Sequence, residues 1–273
     1  MKQLICLTLF LVSTLLVAQE NQEPTLMAKV KYGDQITDVK FMLKYPFDEH
    51  RRYGNLKDIQ KNFITHITAK HDNKNILNVS TSYYFTRDLL IKYKLKNIKQ
   101  VDFAKYTFSD NFDTKKEFIV NMQQESITKT LGKVINSQKT DSFNFRKLKP
   151  KIWKDISVDE AIFELYGHVN KPLIDKITIS GPEKTSCNKM QIHISSNVDL
   201  ESFVVLNNKR TNPTIAIFTL PKSAIVDFKF NINLLISCTD YSIIVVGKDR
   251  NGNFYKTSPK GRIACGDACG GGG

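Results

Sequence analysis

Two thiols with three residues between them, Cys265 and Cys269, stand in a segment with no composition for folding: Cys265-Gly266-Asp267-Ala268-Cys269, then Gly270, Gly271, Gly272 and Gly273. Glycine loses the most conformational freedom on ordering and has nothing to bury, so this run is expected to stay slim and mobile and to hold its thiols out. At ~3.3–3.6 Å per extended residue, Cys269 can stand on the order of 20 Å beyond Ile263, the last strand residue expected. Such reach suits an arm that enters another protein's pocket. Competing readings are an incidental Gly-rich end and a C-x3-C pair closed as a small disulfide. The spacing is not the C-x-x-C of thioredoxin-like enzymes, and no C-x-x-C-H haem attachment site occurs. A zinc site would need two further ligands, which the scattered histidines (His50, His66, His71, His168, His193) do not obviously supply. The tail also lacks a histidine to act as base, so no nucleophile, base and orienting group can be assembled from it and no catalytic residue is assigned.

The other end of the chain sets the compartment. Met1-Lys2-Gln3 precedes an apolar run from Leu4 to Ala18, broken only by Cys6, Thr8, Ser13 and Thr14, and then Gln19-Glu20-Asn21 turns polar. This reads as a secretory signal peptide over residues 1–18. The run is short for a membrane span, and no later stretch approaches ~20 apolar residues. An exported, periplasmic protein without a membrane span is expected. Export leaves Cys187, Cys238, Cys265 and Cys269 in an oxidising compartment. A structural Cys187–Cys238 bridge is favoured, with two buried free thiols the alternative; either leaves the tail pair for chemistry. The net charge of +13 would suggest nucleic acid in a cytoplasmic protein, but export argues against that partner. Small anions or acidic proteins fit better, beside the plain alternative of a solvated lysine-rich surface.

The elements that must position the arm read as β throughout. Val39, Phe41 and Leu43 alternate with polar residues, as do Phe63, Thr65, Ile67 and Ala69; Ile76 to Val79, Leu89 to Leu95 and Phe118 to Val120 are further short apolar runs. His71 to Asn75 reads as a hairpin turn. From residue 123 to 150 the period fades, predicting a linker with a transient helix around Ile127 to Val134. Ser157-Val158-Asp159-Glu160 is a capping box that opens a short helix ending at Gly167. Strands are then predicted over 176–180, 190–195, 203–207, 214–220, 226–234, 241–247 and 253–256. The last two join across Asp249 to Gly252, where Asn251-Gly252 predicts a type I′ turn. Seven short strands at this spacing point to an immunoglobulin-like sandwich. The expected architecture is all-β: two immunoglobulin-like sandwich domains, at 26–122 and 151–263, joined by the 123–150 linker and followed by a flexible arm at 264–273.

The second domain with its tail resembles the Y subunit of the SoxYZ sulfur carrier. The matching pieces are Trp153-Lys154-Asp155-Ile156 and the helix after it, the Gly181-Pro182 turn, Asn212-Pro213-Thr214-Ile215-Ala216-Ile217-Phe218, and Asp249 to Tyr255. A strand running into a Gly/Cys tail completes them. The first domain resembles the Z subunit through Ala28-Lys29-Val30-Lys31, Ile36 to Leu43, Tyr45-Pro46, the strand in the 60s and Asn73-Lys74. The resemblance implies a fusion of two normally separate subunits. It also implies a non-enzymatic carrier, with no cofactor, whose tail cysteine holds thiosulfate-derived sulfur. Its implied partners are a haem-containing sulfur-conjugating enzyme, a sulfate-releasing hydrolase and a sulfane dehydrogenase. Ala268 and Asp267 depart from the family's glycines and Cys265 is an extra thiol, so the attachment residue is Cys269 with Cys265 as the alternative. A thiol–disulfide relay using both cysteines is the rival function.

Overall fold

Alternation builds the strands. In β2 (Ile36–Lys44) Val39, Phe41 and Leu43 are buried while Asp38 and Lys40 face water, the period-two signature of a half-buried strand. β15 (Ala224–Ile232) does the same with Val226, Phe228 and Phe230. The computed structural model describes residues 24–44, 63–85, 88–98, 103–121, 128–131, 133–135, 143–169, 172–181, 190–208, 211–233, 241–257 and 262–263.

The remaining strands of the first half are β1 (Thr25–Tyr32), β3 (Ile64–His71), β4 (Lys74–Thr81), β5 (Asp88–Lys96), β6 (Phe103–Asp110) and β7 (Lys115–Asn121). Two short strands, β8 (Thr128–Leu131) and β9 (Lys133–Ile135), follow. The second half holds β10 (Leu173–Ile174), β11 (Ile177–Ser180), β12 (Met190–Ser196), β13 (Leu200–Asn207), β14 (Thr214–Thr219), β16 (Tyr241–Asp249), β17 (Phe254–Lys256) and β18 (Arg262–Ile263). No helix among the described residues is long and apolar enough to cross a membrane.

The two halves repeat one topology. Sheet order β1-β2-β5 faces β4-β3-β6-β7 in the first; β11-β12-β15 faces β14-β13-β16-β17 in the second. This is the two-sheet, seven-strand pattern of an immunoglobulin-like sandwich. Equivalent edge strands then pair antiparallel across the junction, β5 with β15 and β4 with β14. Equivalent strands paired this way are related by a local two-fold axis, as in an isologous dimer. Both sheets therefore run through both halves, and one apolar core, from Phe41, Tyr93 and Phe108 to Phe203, Phe218 and Phe228, fills the space between them.

The stretch expected as a linker is partly sheet. Residues 128–131 pair with β1 and 133–135 with β7, so the helix expected around Ile127 to Val134 is replaced by strands. The outer edges of β1 and β7 carry backbone groups that need partners, and the passing chain supplies them. A helical turn, α1 (Phe145–Leu148), follows, with Asn144 as its cap, and then a 3-10 turn, Pro150–Trp153.

The predicted capping box is present. Glu160 N donates to Ser157 Oγ at 3.1 Å and Ser157 N donates to Glu160 Oε2 at 2.7 Å, opening α2 (Val158–Tyr166); Gly167 ends it at φ 74°. Ala161 and Ile162 of α2, with Ile152 and Trp153, cover Val204, Leu206, Ile217 and Val246 on the outer face of the second half's larger sheet.

The turn at Asp72-Asn73 has φ of 44° and 60°, the paired positive values of a type I′ hairpin, where one was expected. At Asp249 to Asn253 the structure corrects the reading. Only Gly252 has positive φ, and the loop has three residues. The buried Asp249 carboxylate accounts for this: it accepts from Asn251 N, Asn253 N, Asn253 Nδ2 and Tyr255 Oη at 2.8–2.9 Å. A two-residue turn would leave those donors out of reach. The equivalent loop of the first half is built alike, with Asp110 Oδ1 accepting from Phe112 N and Thr114 N and Asp113 at φ 61°.

Candidate functional site

Cys265, Cys269, Gly266 and Gly270 to Gly273 all lie outside the described residues, as do Cys187, Cys238 and the segment 1–18. The structure describes the strand that precedes the expected arm, called here its root. Tyr241–Ser242 of β16 pairs antiparallel with β18, while β17 pairs with Val246 to Lys248 further along β16. Two short strands, β17 and β18, thus pair with different parts of one neighbour. Val245 N donates to Thr257 Oγ1 at 3.0 Å and Thr257 N donates to Val245 O at 3.0 Å, holding the end of β17. Ile263 precedes Cys265 by two residues and Cys269 by six, a fully extended reach of about 20 Å for the second thiol.

The root lies at the end of the sandwich that carries the β13–β14 connection. Asn207, fully buried, is opposite Ile243, and its N–H donates to Pro213 O at 2.8 Å. Asn212 Nδ2 donates to Trp153 O at 3.0 Å and Thr214 Oγ1 to Ile152 O at 2.6 Å, tying the connection to the 3-10 turn. From the first half, Tyr84 Oη donates to Asn212 O at 3.1 Å, with its ring 4.5 Å from that of Tyr83. This polar network fixes the β13–β14 connection.

The four histidines that the structure describes stand elsewhere. His66 Nε2 is 3.3 Å from Asn78 Oδ1 inside the first half, and His71 lies at the β3–β4 turn. His168 follows α2 with its ring against Phe163, and His193 Nε2 is 2.8 Å from Asp227 Oδ1 on the outer face of the other sheet. Partial burial raises the Asp227 carboxyl, but hydrogen bonds from Lys94 and His193 outweigh it and hold the group below the usual carboxylate range.

Two features went unread in the sequence. One is Arg146 of α1, in the polar stretch taken as linker. Its guanidinium carbon lies 4.9 Å from the centre of the Phe63 ring and 4.5 Å from that of Trp153, and its Nε donates to Thr81 O at 3.0 Å. Trp153 Nε1 in turn donates to Phe145 O at 3.1 Å. Burial pushes the Arg146 pKa down to about 10, with Tyr83 opposing, so the group is still a cation at neutral pH. It clamps the first half to the cover of the second. The other feature is a row of lysines, which shows in the sequence only as Lys at alternate positions of several strands.

No protein-family model matches the chain, and no curated protein matches it. Among solved structures it is similar to the Bacteroides ovatus mixed-linkage glucan utilization locus protein SGBP-B in complex with a mixed-linkage heptasaccharide, at 8% identity and a TM-score of 0.19. The match covers 90% of this chain and 61% of that one. A likeness this slight says nothing about ligand.

Proposed function

We propose that the chain is an exported, periplasmic carrier that holds thiosulfate-derived sulfur covalently on Cys269, with Cys265 as the alternative thiol, and presents it to partner enzymes. The observation that supports this reading is the anchoring of β18 at Ile263, six residues before Cys269, with a glycine-rich segment beyond an ordered strand. An unperturbed thiol has a pKa near 8.5, so activation falls to the partner.

Loading is oxidative. The Cys269 thiolate and the terminal sulfur of thiosulfate form an S–S bond, giving Cys–S–S–SO3⁻, and two electrons pass to a haem-containing partner. Water then cleaves the S–SO3 bond, leaving Cys–S–S⁻ and releasing sulfate and two protons. The remaining sulfane sulfur is oxidised or transferred by a further partner. The carrier contributes the handle and its reach.

The test is intact-mass spectrometry of the reduced protein after incubation with thiosulfate and a mild oxidant, beside Cys265→Ser and Cys269→Ser. An adduct lost only in Cys269→Ser supports the carrier and its site. No adduct, with a Cys265–Cys269 disulfide that exchanges with added thiols, overturns it in favour of the redox relay.

A further inference from the structure

The outward face of the β1-β2-β5-β15-β12 sheet carries lysines in a straight row. Register puts Lys29 opposite Lys40, Lys40 opposite Lys92, and Lys92 opposite Lys229, with His193 next. At ~4.8 Å per strand the four ammonium stems span about 14 Å and cross from the first half into the second. Like charges directly opposite one another destabilise a sheet.

The neighbouring row shows that this sheet places charge differently elsewhere. There Lys31 is opposite Asp38, Asp38 is opposite Lys94, and Lys94 Nζ lies 2.6 Å from Asp227 Oδ2. Among the described residues, Lys29, Lys40, Lys92 and Lys229 have no ion-pair partner. All four line one shallow depression of about 320 Å³. One row is neutralised from within; its neighbour, two residues along each strand, is left cationic.

We infer that this row is a binding site for a linear multivalent oxoanion bearing phosphate or sulfate groups. The ammonium of lysine is a compact point charge that suits tetrahedral oxoanions, whereas planar carboxylates are matched by the fork of arginine, and no arginine lines the depression. A protein partner would engage roughly 20–30 residues on each side, and the depression is lined by ten. The straight row fits a chain of repeating charges. The site lies on the opposite sheet from the arm root and does not depend on the carrier reading.

The test is calorimetric titration of the full chain with tripolyphosphate and, separately, with a heparin hexasaccharide at low salt. The row variant is Lys40→Gln/Lys92→Gln/Lys229→Gln; the control is Lys74→Gln/Lys154→Gln/Lys222→Gln, exposed lysines away from the row that lower the +13 net charge by the same three units. The expected result is a loss on the order of tenfold or more in the row variant only, from three screened contacts. The tighter of the two probes identifies the source as free or polysaccharide-borne. With like charges removed, the unliganded row variant should also melt at or above the wild-type temperature, which separates lost binding from lost fold. Equal weakening in both variants, undiminished binding in the row variant, or poly-glutamate of matched charge binding as tightly as tripolyphosphate would overturn the proposal.

Discussion

Arg146→Ala should loosen the junction between the two halves, and the chain carries its own reporter for this. Trp153, one of the two rings that sandwich the guanidinium, is the only tryptophan. The substitution removes two cation–π contacts, worth about 0.5–2 kcal/mol each in partly desolvated surroundings. It also removes a charge-assisted hydrogen bond to Thr81 O, worth about 1.5–3 kcal/mol. Relief of a buried charge, visible in the Arg146 pKa pushed down to about 10, offsets part of that sum. A net loss of about 2–3 kcal/mol remains, which for a chain of this size lowers Tm by roughly 5–10 °C. Urea unfolding followed by Trp153 emission measures both the loss and its location. Arg146→Lys should recover only part of the stability, because a point charge cannot stack as a planar fork does. Lys147→Ala is the control: its pair with Asp113 at 2.9 Å joins two well-exposed side chains and is worth under about 1 kcal/mol. An Arg146→Ala protein that unfolds at the wild-type urea concentration with unshifted emission would refute the clamp.

Three further perturbations probe the frame around the site. A Cβ at Gly247 would lie 2.7 Å from Leu200 Cδ1 and 3.0 Å from Ile177 Cδ1, so Gly247→Ala should destabilise by about 1–3 kcal/mol through overpacking, read as a lower urea midpoint. Burial raises the Asp249 carboxyl, but the hydrogen bonds from Asn253, Tyr255 and Asn251 outweigh it and leave the group below the usual range. A depressed folded pKa gives stability that is present above the unfolded value of about 3.9 and is lost as pH falls through the folded one. Wild type should therefore lose more stability between about pH 6 and pH 3 than Asp249→Asn, and equal slopes in urea titrations would count against the loop's role. Ser157→Ala removes the acceptor for Glu160 N and should cost about 1 kcal/mol, measured by the same unfolding assay.

What was legible in the sequence is what one strand can show by itself. Val39-Phe41-Leu43 and Val226-Phe228-Phe230 declare a buried face because their period is two, and Ser157 with Glu160 declares a helix start because the capping box is local. Register is not local. Nothing in β5 or β15 alone says that they pair with each other, since any antiparallel neighbour with an apolar face would satisfy both. The lysine row depends on that register and was invisible for the same reason. β13 is buried on both faces, which blurs its alternation, because Val204 and Leu206 turn outward to meet Trp153 and α2. The polar stretch before α1 gave no apolar period, yet two pieces of it are strands, held by the edges they complete. Asn251-Gly252 carried the local signal of a two-residue turn, and the buried Asp249 carboxylate overrode it. The reading of the cysteines rests on residue type and spacing alone; they lie outside the described residues, and the structure describes only the strand β18 that precedes them in the sequence.

The two-fold pairing also bears on why two sandwiches belong in one chain. Joined through β5–β15 and β4–β14, each half covers two edge strands of the other, edges that would otherwise invite pairing with foreign chains. The symmetry then breaks where function is proposed. The last strand of the first half, β7, has its outer edge taken by β9, whereas in the second half β10 lies beside β17 and β18 pairs with the start of β16. In the second half the Trp153 and α2 cover lies on the larger sheet, and its polar ties reach the β13–β14 connection. The shared pairing supplies a rigid frame, and the proposed carrier role would use the strand β18 as the last fixed point before the cysteines.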